Sequence, residues 1–440
     1  MHAEQGVSPR WSSRFSFLMA SVGVAVGLGN LWRFPFQAGQ NGGAAFVLVY
    51  LFCVALIAWP ILAAEIAFGR SKRLSAVGST AALGRDAGWG PFWGVIGLVG
   101  AIASFFVLTT YSNVAGQIMA FSLMAFMGEF ANRAGDAPLL LYSGEIWPIF
   151  WFTLFLSITV TVVAQGIRGG IERLVTFLMP IFFLLLVGLS LYALTTGAAS
   201  EAIGWLFKPR FDQLTPSVVL AALGQAFYSI AVGSAAMITY GAYLNRKENI
   251  AANAGVIAAT DTMVAIIAGL MIFPVVFAFG LDPAAGMGLI FAALPAVFSD
   301  MPAGNLVGGA FFFLAFIAAL TTSVSMVMIA AAILKEWLGW GQARTSLVLG
   351  VIAWVIGVSA IYVDGAAGMI DFLAGNVFLP VGAFLAAILG GWILPRALMR
   401  DELHQSSDGA FAVWRFLIRW LCPAAVGTIL VFGLIDQAGY

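Results

Sequence analysis

Charge is what this chain most lacks. Only 9% of its 440 residues are Asp, Glu, Lys or Arg, whereas soluble domains carry about a quarter. A globule of this length needs a large solvated surface, and 20 basic with 20 acidic side chains are too few to cover it. An ordinary water-soluble enzyme is excluded. The formal net charge is zero, so bulk electrostatics give no attraction to nucleic acid, and no such partner is expected. Cysteine and histidine are nearly absent too. Cys53 and Cys422 stand singly in apolar runs, and His2 and His404 fall in polar ends, which argues against a disulfide framework or a Cys/His metal centre. What fills the chain instead is 62% hydrophobic residues, with a mean hydropathy of +1.00. Lipid is the solvent that suits this composition.

A helix needs roughly 20 mostly apolar residues to cross a bilayer, and eleven apolar runs with few or no charges come close to that length or exceed it: 15–38, 44–68, 91–127, 147–165, 174–196, 217–243, 251–279, 305–334, 345–362, 370–394 and 411–434. The run near 286–298, with Pro295 inside and Asp282 and Asp300 flanking it, is too short and reads as a loop helix. The period-2 alternation of a membrane barrel is missing. With the N-terminus inside, sixteen basic residues fall on inner segments: Arg10, Arg14, Arg70, Lys72, Arg73, Arg85, Arg168, Arg173, Arg246, Lys247, Lys335, Arg344, Arg396, Arg400, Arg415 and Arg419. Three, Arg133, Lys208 and Arg210, fall outside, and Arg33 lies within a run. This asymmetry orients the chain in a cell (inner) membrane with a cytoplasmic N-terminus and an outside C-terminus, and one missed crossing would scramble it. The first apolar run is too long for a cleaved signal and leads straight into the polar turn at 37–43.

Two runs look broken. SVGVAVGLGN (21–30) places Gly23, Gly27 and Gly29 within one crossing, and Arg33 and Pro35 follow. YSIAVGSAA (228–236) is the matching irregularity in the sixth run. These crossings are five apart, the spacing of two inverted five-helix halves, and paired discontinuous helices point to a midplane binding site. The same glycines also suit close helix packing, as Gly23-x-x-x-Gly27 would.

Gly27-Leu28-Gly29-Asn30-Leu31-Trp32-Arg33-Phe34-Pro35, continuing Gln40-Asn41-Gly42-Gly43-Ala44-Ala45-Phe46, resembles the first-helix signature of the neurotransmitter:sodium symporters, in particular the bacterial amino-acid transporters. Gly224-Gln225-Ala226-Phe227-Tyr228-Ser229 with Ile238-Thr239-Tyr240-Gly241-Ala242-Tyr243 resembles the sixth helix, and Leu320-Thr321-Thr322-Ser323 the eighth. The resemblance covers residues 11–400. It implies an all-α integral membrane protein with eleven transmembrane helices, a 5+5 inverted repeat with broken helices one and six, and one extra helix. The expected division is a cytoplasmic segment 1–10, a transporter core 11–400 with repeats about 11–197 and 215–400, and a linker with the eleventh helix at 401–440.

Asp261 is the most informative single residue, because it lies in an otherwise uncharged run where an ionised carboxylate costs about 2.5–3.5 kcal/mol. A hard cation such as sodium suits it, with oxygens from Asn30, Ser229 and the broken backbone at Ala25; neighbouring hydroxyls alone are the other reading. The resemblance implies that these positions form one sodium site, with Asp261 where many relatives carry Asn. It also implies a second sodium on the Thr321 and Thr322 hydroxyls and the main-chain oxygens of Gly23, Val26 and Ala318, although membrane-helix hydroxyls usually bond back to their own preceding turn.

An amino-acid carboxylate fits the free N–H groups near Leu28 and Gly29, where helix one restarts. The resemblance adds the Tyr111 hydroxyl to that carboxylate and main-chain oxygens of Ala25, Tyr228, Ser229 and Ala231 to the ammonium. The side-chain pocket expected is Val24, Val107, Tyr228, Ala231, Ser234, Thr322, Ser325 and Met326, largely apolar. Gly27 stands where monoamine-transporting relatives carry Asp, which points to an α-amino acid. Arg33 and Asp371, with Gln225, correspond to an outer gate. Glu336 corresponds to the inner gate, whose basic position holds Ser8, with Arg10 two residues on. Glu65 resembles the acid that ties down the unwound sixth helix near Gly233; pairing with Arg70 is the plainer alternative.

The expectation is sodium-coupled symport of a neutral, apolar α-amino acid by alternating access, with two sodium ions. Chloride is not expected: relatives that need it hold it near the positions of Tyr50, Gln225 and Ser229, where Asp261 supplies a negative charge and Ala265 carries none. The rivals are a carrier of another small zwitterion, an ion channel, or a membrane enzyme, for which no nucleophile-base pair is evident.

Overall fold

The computed structural model describes residues 11–130, 146–208, 210–284, 288–403 and 407–437, and these contain helices and turns but no strand. Ser13 starts α1 (Arg14–Ala25) by accepting the Ser16 N–H on its hydroxyl, which satisfies one free amide of the first turn. Val26 then turns to extended backbone, and α2 (Gly29–Gln40) leaves at 52° to α1. Next come α3 (Ala44–Lys72), the short α4 (Ala76–Asp86), α5 (Pro91–Phe126), α6 (Trp147–Ala164) and α7 (Ile167–Ala193).

The second half follows α8 (Ala199–Phe207) and opens with another broken crossing, α9 (Pro216–Ser229) and α10 (Ala236–Gly241). It continues with α11 (Ile250–Ala278), the short α12 (Leu289–Asp300), α13 (Gly304–Leu338), α14 (Gln342–Tyr362) and α15 (Ala366–Ile393). The linker helix α16 (Arg396–Leu403) leads to α17 (Asp408–Gly433). Among the described residues nine continuous helices are long and apolar enough to cross a bilayer, and the bent pair α1/α2 makes a tenth. The halves α9 and α10, each too short to cross alone, take the sixth place. α12 is the loop helix expected near 286–298.

Burial ranks the crossings. In the apolar window of α13, 83% of residues are buried, against 22% in α17, so α13 forms the centre with α5 against it and α17 lies outermost.

Prolines shape the helices in a regular way. Wide π turns at Gly29–Arg33, Val54–Ala58, Leu289–Ala293, Leu373–Phe378 and Leu417–Leu421 each end two residues before Pro35, Pro60, Pro295, Pro380 or Pro423. The residue before each proline donates to the carbonyl five back. A proline ring crowds the carbonyl four residues earlier and offers no N–H, and widening that turn relieves the clash.

Glycine at position 69 lets α3 lie against α10. An added Cβ there would stand 1.8 Å from the Ile238 carbonyl oxygen. Gly69→Ala is therefore expected to force the two helices apart at a cost of about 1–3 kcal/mol, read as a lower melting temperature of the purified protein. Gly188→Ala, where a Cβ meets nothing within 4 Å, is expected to leave melting unchanged.

Candidate substrate and ion site

The sixth crossing is unwound from Ile230 to Ala235, and Ala231, Gly233 and Ala235 all have positive φ. Left-handed backbone costs alanine roughly 1–2 kcal/mol, so this segment is held from outside. Glu65 Oε1, from α3, accepts the Gly233 N–H at 2.8 Å, and Ser104 Oγ, from α5, donates to the Ser234 carbonyl at 2.8 Å. Gly233 also has no room for a side chain, since a Cβ would meet the Leu379 carbonyl oxygen at 2.2 Å. Arg70 takes a different acid from the one its helix offers: it pairs with Glu402 at 2.8 Å.

Between the breaks lies a cavity of about 60 Å³. Val24, Ala25, Leu28 and Gly29 reach it from the first crossing, and Tyr228, Ala231 and Ser234 from the sixth. Val107 and Tyr111 come from α5, Thr322 and Met326 from α13. Two expected residues are not on its wall. Ser325 faces α10 instead, donating to the Thr321 carbonyl at 2.9 Å and sharing a 2.7 Å hydrogen bond with the Tyr240 hydroxyl. Ser229 belongs to a neighbouring polar cluster. Ser104 lines the cavity and went unnoticed in the sequence, although Ser104, Val107 and Tyr111 share one helix face at i, i+3 and i+7. The Tyr111 hydroxyl accepts the Leu28 N–H at 3.1 Å, so a carboxylate seeking that amide meets both groups together. The carbonyl of Tyr228 accepts from the Ala231 N–H, and that of Ala231 from both the N–H and the hydroxyl of Ser234.

Two oxygen clusters flank the cavity. In the first, Asp261 is fully buried. Its Oδ1 accepts from Asn30 Nδ2 at 2.7 Å, and its Oδ2 from Ser229 Oγ at 2.7 Å and Tyr50 Oη at 3.4 Å. Asn30 Oδ1 accepts the Gly27 N–H at 3.1 Å. No ion pair reaches Asp261 among the described residues. In the second, Thr322 Oγ1 crosses from α13 to the carbonyls of Gly23 (3.1 Å) and Val26 (3.4 Å) on α1. Thr321 Oγ1 bonds back within α13, to the carbonyls of Ile317 and Ala318 at 3.1 Å.

On one side of the cavity a chamber of about 340 Å³ shares the walls Leu28, Val107, Tyr111, Tyr228 and Leu379 with it. Arg33 and Asp371 both line this chamber without pairing: Arg33 stacks 4.2 Å over the Tyr228 ring, and Asp371 accepts from Thr110 at 2.6 Å. Gln225 stays out of the chamber, its Nε2 donating to the Gly29 carbonyl at 3.3 Å. At the opposite end, Glu336 accepts the Ser75 N–H at 2.6 Å, while Arg10 lies outside the described residues. Closure there uses residues the sequence did not single out: Trp11 packs edge-on to Tyr240, Ser12 hydrogen-bonds Glu172, and Arg14 reaches Asn253 at 2.8 Å and Glu248 at 3.5 Å.

A helical membrane bundle in which two interrupted crossings wall a central cavity is the architecture of a carrier. The sequence model of the Sodium:neurotransmitter symporter family matches residues 8–135 and 143–439, and the chain belongs to that family. It is a sodium-dependent membrane transporter and not an enzyme. The sodium-dependent transporter YhdH of Bacillus subtilis is 33% identical over 96% of both chains. The Sodium-dependent nutrient amino acid transporter 1 of Drosophila grimshawi is 24% identical over 96% of this chain and 76% of its own length. Among solved structures, MhsT in complex with L-phenylalanine is 36% identical, with a TM-score of 0.88 over 97% of this chain and 99% of that one.

The Glu65 contact yields a clear expectation. Glu65→Ala leaves the buried Gly233 N–H without an acceptor, a loss of about 1–3 kcal/mol, and is expected to reduce transport per folded molecule severely. Glu65→Gln keeps an acceptor oxygen and is expected to retain most of it. Sodium-driven uptake normalised to the folded fraction separates the two.

Proposed function

We propose that the chain carries a neutral α-amino acid with an apolar side chain inward, coupled to two sodium ions, by alternating access. The observation that carries this reading is the convergence of residues from both breaks on one small cavity, where the Leu28 amide meets the Tyr111 hydroxyl and the remaining wall is mostly apolar. Tyr111 and the Leu28 amide take the substrate carboxylate. The main-chain oxygens of Ala25, Tyr228 and Ala231 take the ammonium, and Val24, Val107 and Met326 surround the side chain. The phenylalanine bound by MhsT supports the same substrate class.

The first sodium belongs beside Asp261, with Asn30, Ser229 and the Ala25 carbonyl. For Asn30 to serve, its amide turns over, presenting Oδ1 where Nδ2 now meets the carboxylate. The second sodium belongs between α1 and α13, at Thr321, Thr322 and the carbonyls of Gly23, Val26 and Ala318, where the Thr322 hydroxyl already bridges two of these oxygens. Ions and substrate favour the occluded form because they bind it better than either open form. On closure Arg33 and Asp371 approach across the outer chamber, with Gln225 behind them. Release to the cytoplasm parts Trp11 from Tyr240, and Arg10 and Glu336 lie on that side. The arginine-rich end is cytoplasmic, which places the C-terminus of α17 outside.

Two measurements test this. Reconstituted protein is expected to take up radiolabelled apolar amino acids in sodium and not in choline buffer, with Asn30→Ala and Thr321→Ala each lowering sodium-driven uptake at least tenfold, about 1.4 kcal/mol of coupling. Equal uptake in both buffers, or competition by dopamine and by no amino acid, would refute it.

The Asp261 carboxylate also makes chloride unnecessary, since a bound anion beside it would add like-charge repulsion where screening is weak. Uptake is expected to be equal in sodium chloride and sodium gluconate. In Asp261→Asn it should be abolished or become chloride-dependent. Normal uptake by that variant in both salts would overturn the charge argument.

A further inference from the structure

Several basic side chains around the arginine-rich end of the bundle are matched by acids. Arg14 has Glu248 and Asn253, Arg70 has Glu402, Lys72 has Asp86, and Arg400 has Asp408. Three others gather where the end of α15 meets the start of α17, and they are not matched. The guanidinium of Arg415 lies within Coulombic reach of both Arg396 and Arg419. Among the described residues no carboxylate forms an ion pair with any of the three.

Their other contacts are neutral. Arg415 donates to the Gly390 carbonyl at 3.1 Å, and Arg396 stands 5.6 Å over the Phe411 ring. Arg419 stacks 4.2 Å over Trp392 with its buried Nε lacking a hydrogen-bond partner. Three like charges drawn together, two of them half-buried and Arg396 exposed, repel one another unless an anion sits among them.

The flank of this cluster faces lipid. Trp392, Phe416 and Trp420 are 42%, 61% and 54% exposed, and Phe416 and Trp420 follow one face of α17 at i and i+4. Aromatic rings at the end of a membrane helix lie at headgroup depth, and basic pockets between helix ends on the cytoplasmic side suit phosphate headgroups. We propose that Arg396, Arg415 and Arg419 bind the phosphate of an anionic phospholipid whose acyl chain lies against Phe416 and Trp420. This lipid clamps the outermost crossing, α17, to α15. A zwitterionic lipid is a poorer occupant because its own ammonium competes for the phosphate and meets three arginines.

The test uses the purified full chain in neutral detergent, titrated with phosphatidylglycerol or phosphatidylcholine of identical acyl chains and read by native mass spectrometry and thermal shift. Phosphatidylglycerol is expected to remain bound and raise the melting temperature, and phosphatidylcholine to do neither. Arg396→Gln, at an exposed residue whose loss strands no buried partner, is expected to weaken phosphatidylglycerol binding about fivefold, with Arg415→Gln and Arg419→Gln at least equal to it. The triple variant should lose the headgroup preference, and Arg344→Gln, at the same end but outside the cluster, should keep it. Equal binding of the two lipids, full preference in Arg396→Gln, or stabilisation reproduced by inorganic phosphate alone would overturn the proposal.

Discussion

A bilayer core offers no hydrogen-bond partners, so a helix can be interrupted inside it only if the protein supplies substitutes for the peptide bonds that are lost. Everything distinctive about this molecule follows from meeting that condition twice. Glu65 accepts from Gly233, Ser104 donates to Ser234, Thr322 donates to Gly23 and Val26, and Tyr111 accepts from Leu28. All four side chains project from unbroken helices, α3, α5 and α13. The continuous helices are thus a frame that holds the interrupted ones open. Because satisfying a peptide group requires a polar atom at its end, three of these side chains, Ser104, Tyr111 and Thr322, bring polarity to a cavity whose other walls are mostly apolar.

The two oxygen clusters differ in chemistry, one built around an acid and the other on hydroxyls and carbonyls alone. The Thr321/Thr322 cluster is neutral and joins α1 to α13 through hydroxyls and carbonyls. The Asp261 cluster holds a full carboxylate, fully buried, satisfied by an amide and two hydroxyls rather than by a basic partner. A buried acid left in that condition favours whatever positive charge can reach it. Asn30 and Ser229, which touch it, belong to the two broken crossings, so a change in charge at Asp261 is transmitted directly to both.

The ends of the bundle are unlike. On one side Arg33 and Asp371 line a chamber of about 340 Å³ and have separate partners. On the other, Trp11 closes on Tyr240, and Ser12 and Arg14 fasten the start of α1 to α7 and α11. Polar clasps of this kind at an aqueous boundary contribute little stability singly. The fixed element between the ends is the frame around Gly233, where glycines at 100 and 382 bring α5 and α15 against the unwound backbone.

Much of this was legible in one dimension because lipid imposes length. Among the described residues the apolar runs match nine continuous membrane-length helices, the bent pair α1/α2 and the interrupted pair α9/α10, with α12 as a loop helix, since a bilayer tolerates few other solutions. Glycines at 23, 27 and 29 marked the first break, and an acid in an apolar run marked Asp261. The prolines that follow these π turns by two residues were also present in the chain, although nothing in periodicity alone distinguishes a widened turn from a kink. Side-chain partnership was decided only in three dimensions. Glu402 and not Glu65 meets Arg70, across 332 positions. Ser325, next in sequence to the cavity residue Met326, turns instead to Tyr240. Ser104 enters the cavity because α5 leans on the unwound backbone of the sixth crossing. Solvent acts on each residue independently, so burial and crossing can be read from local composition; a hydrogen bond depends on the relative placement of two elements, which only the packed bundle determines.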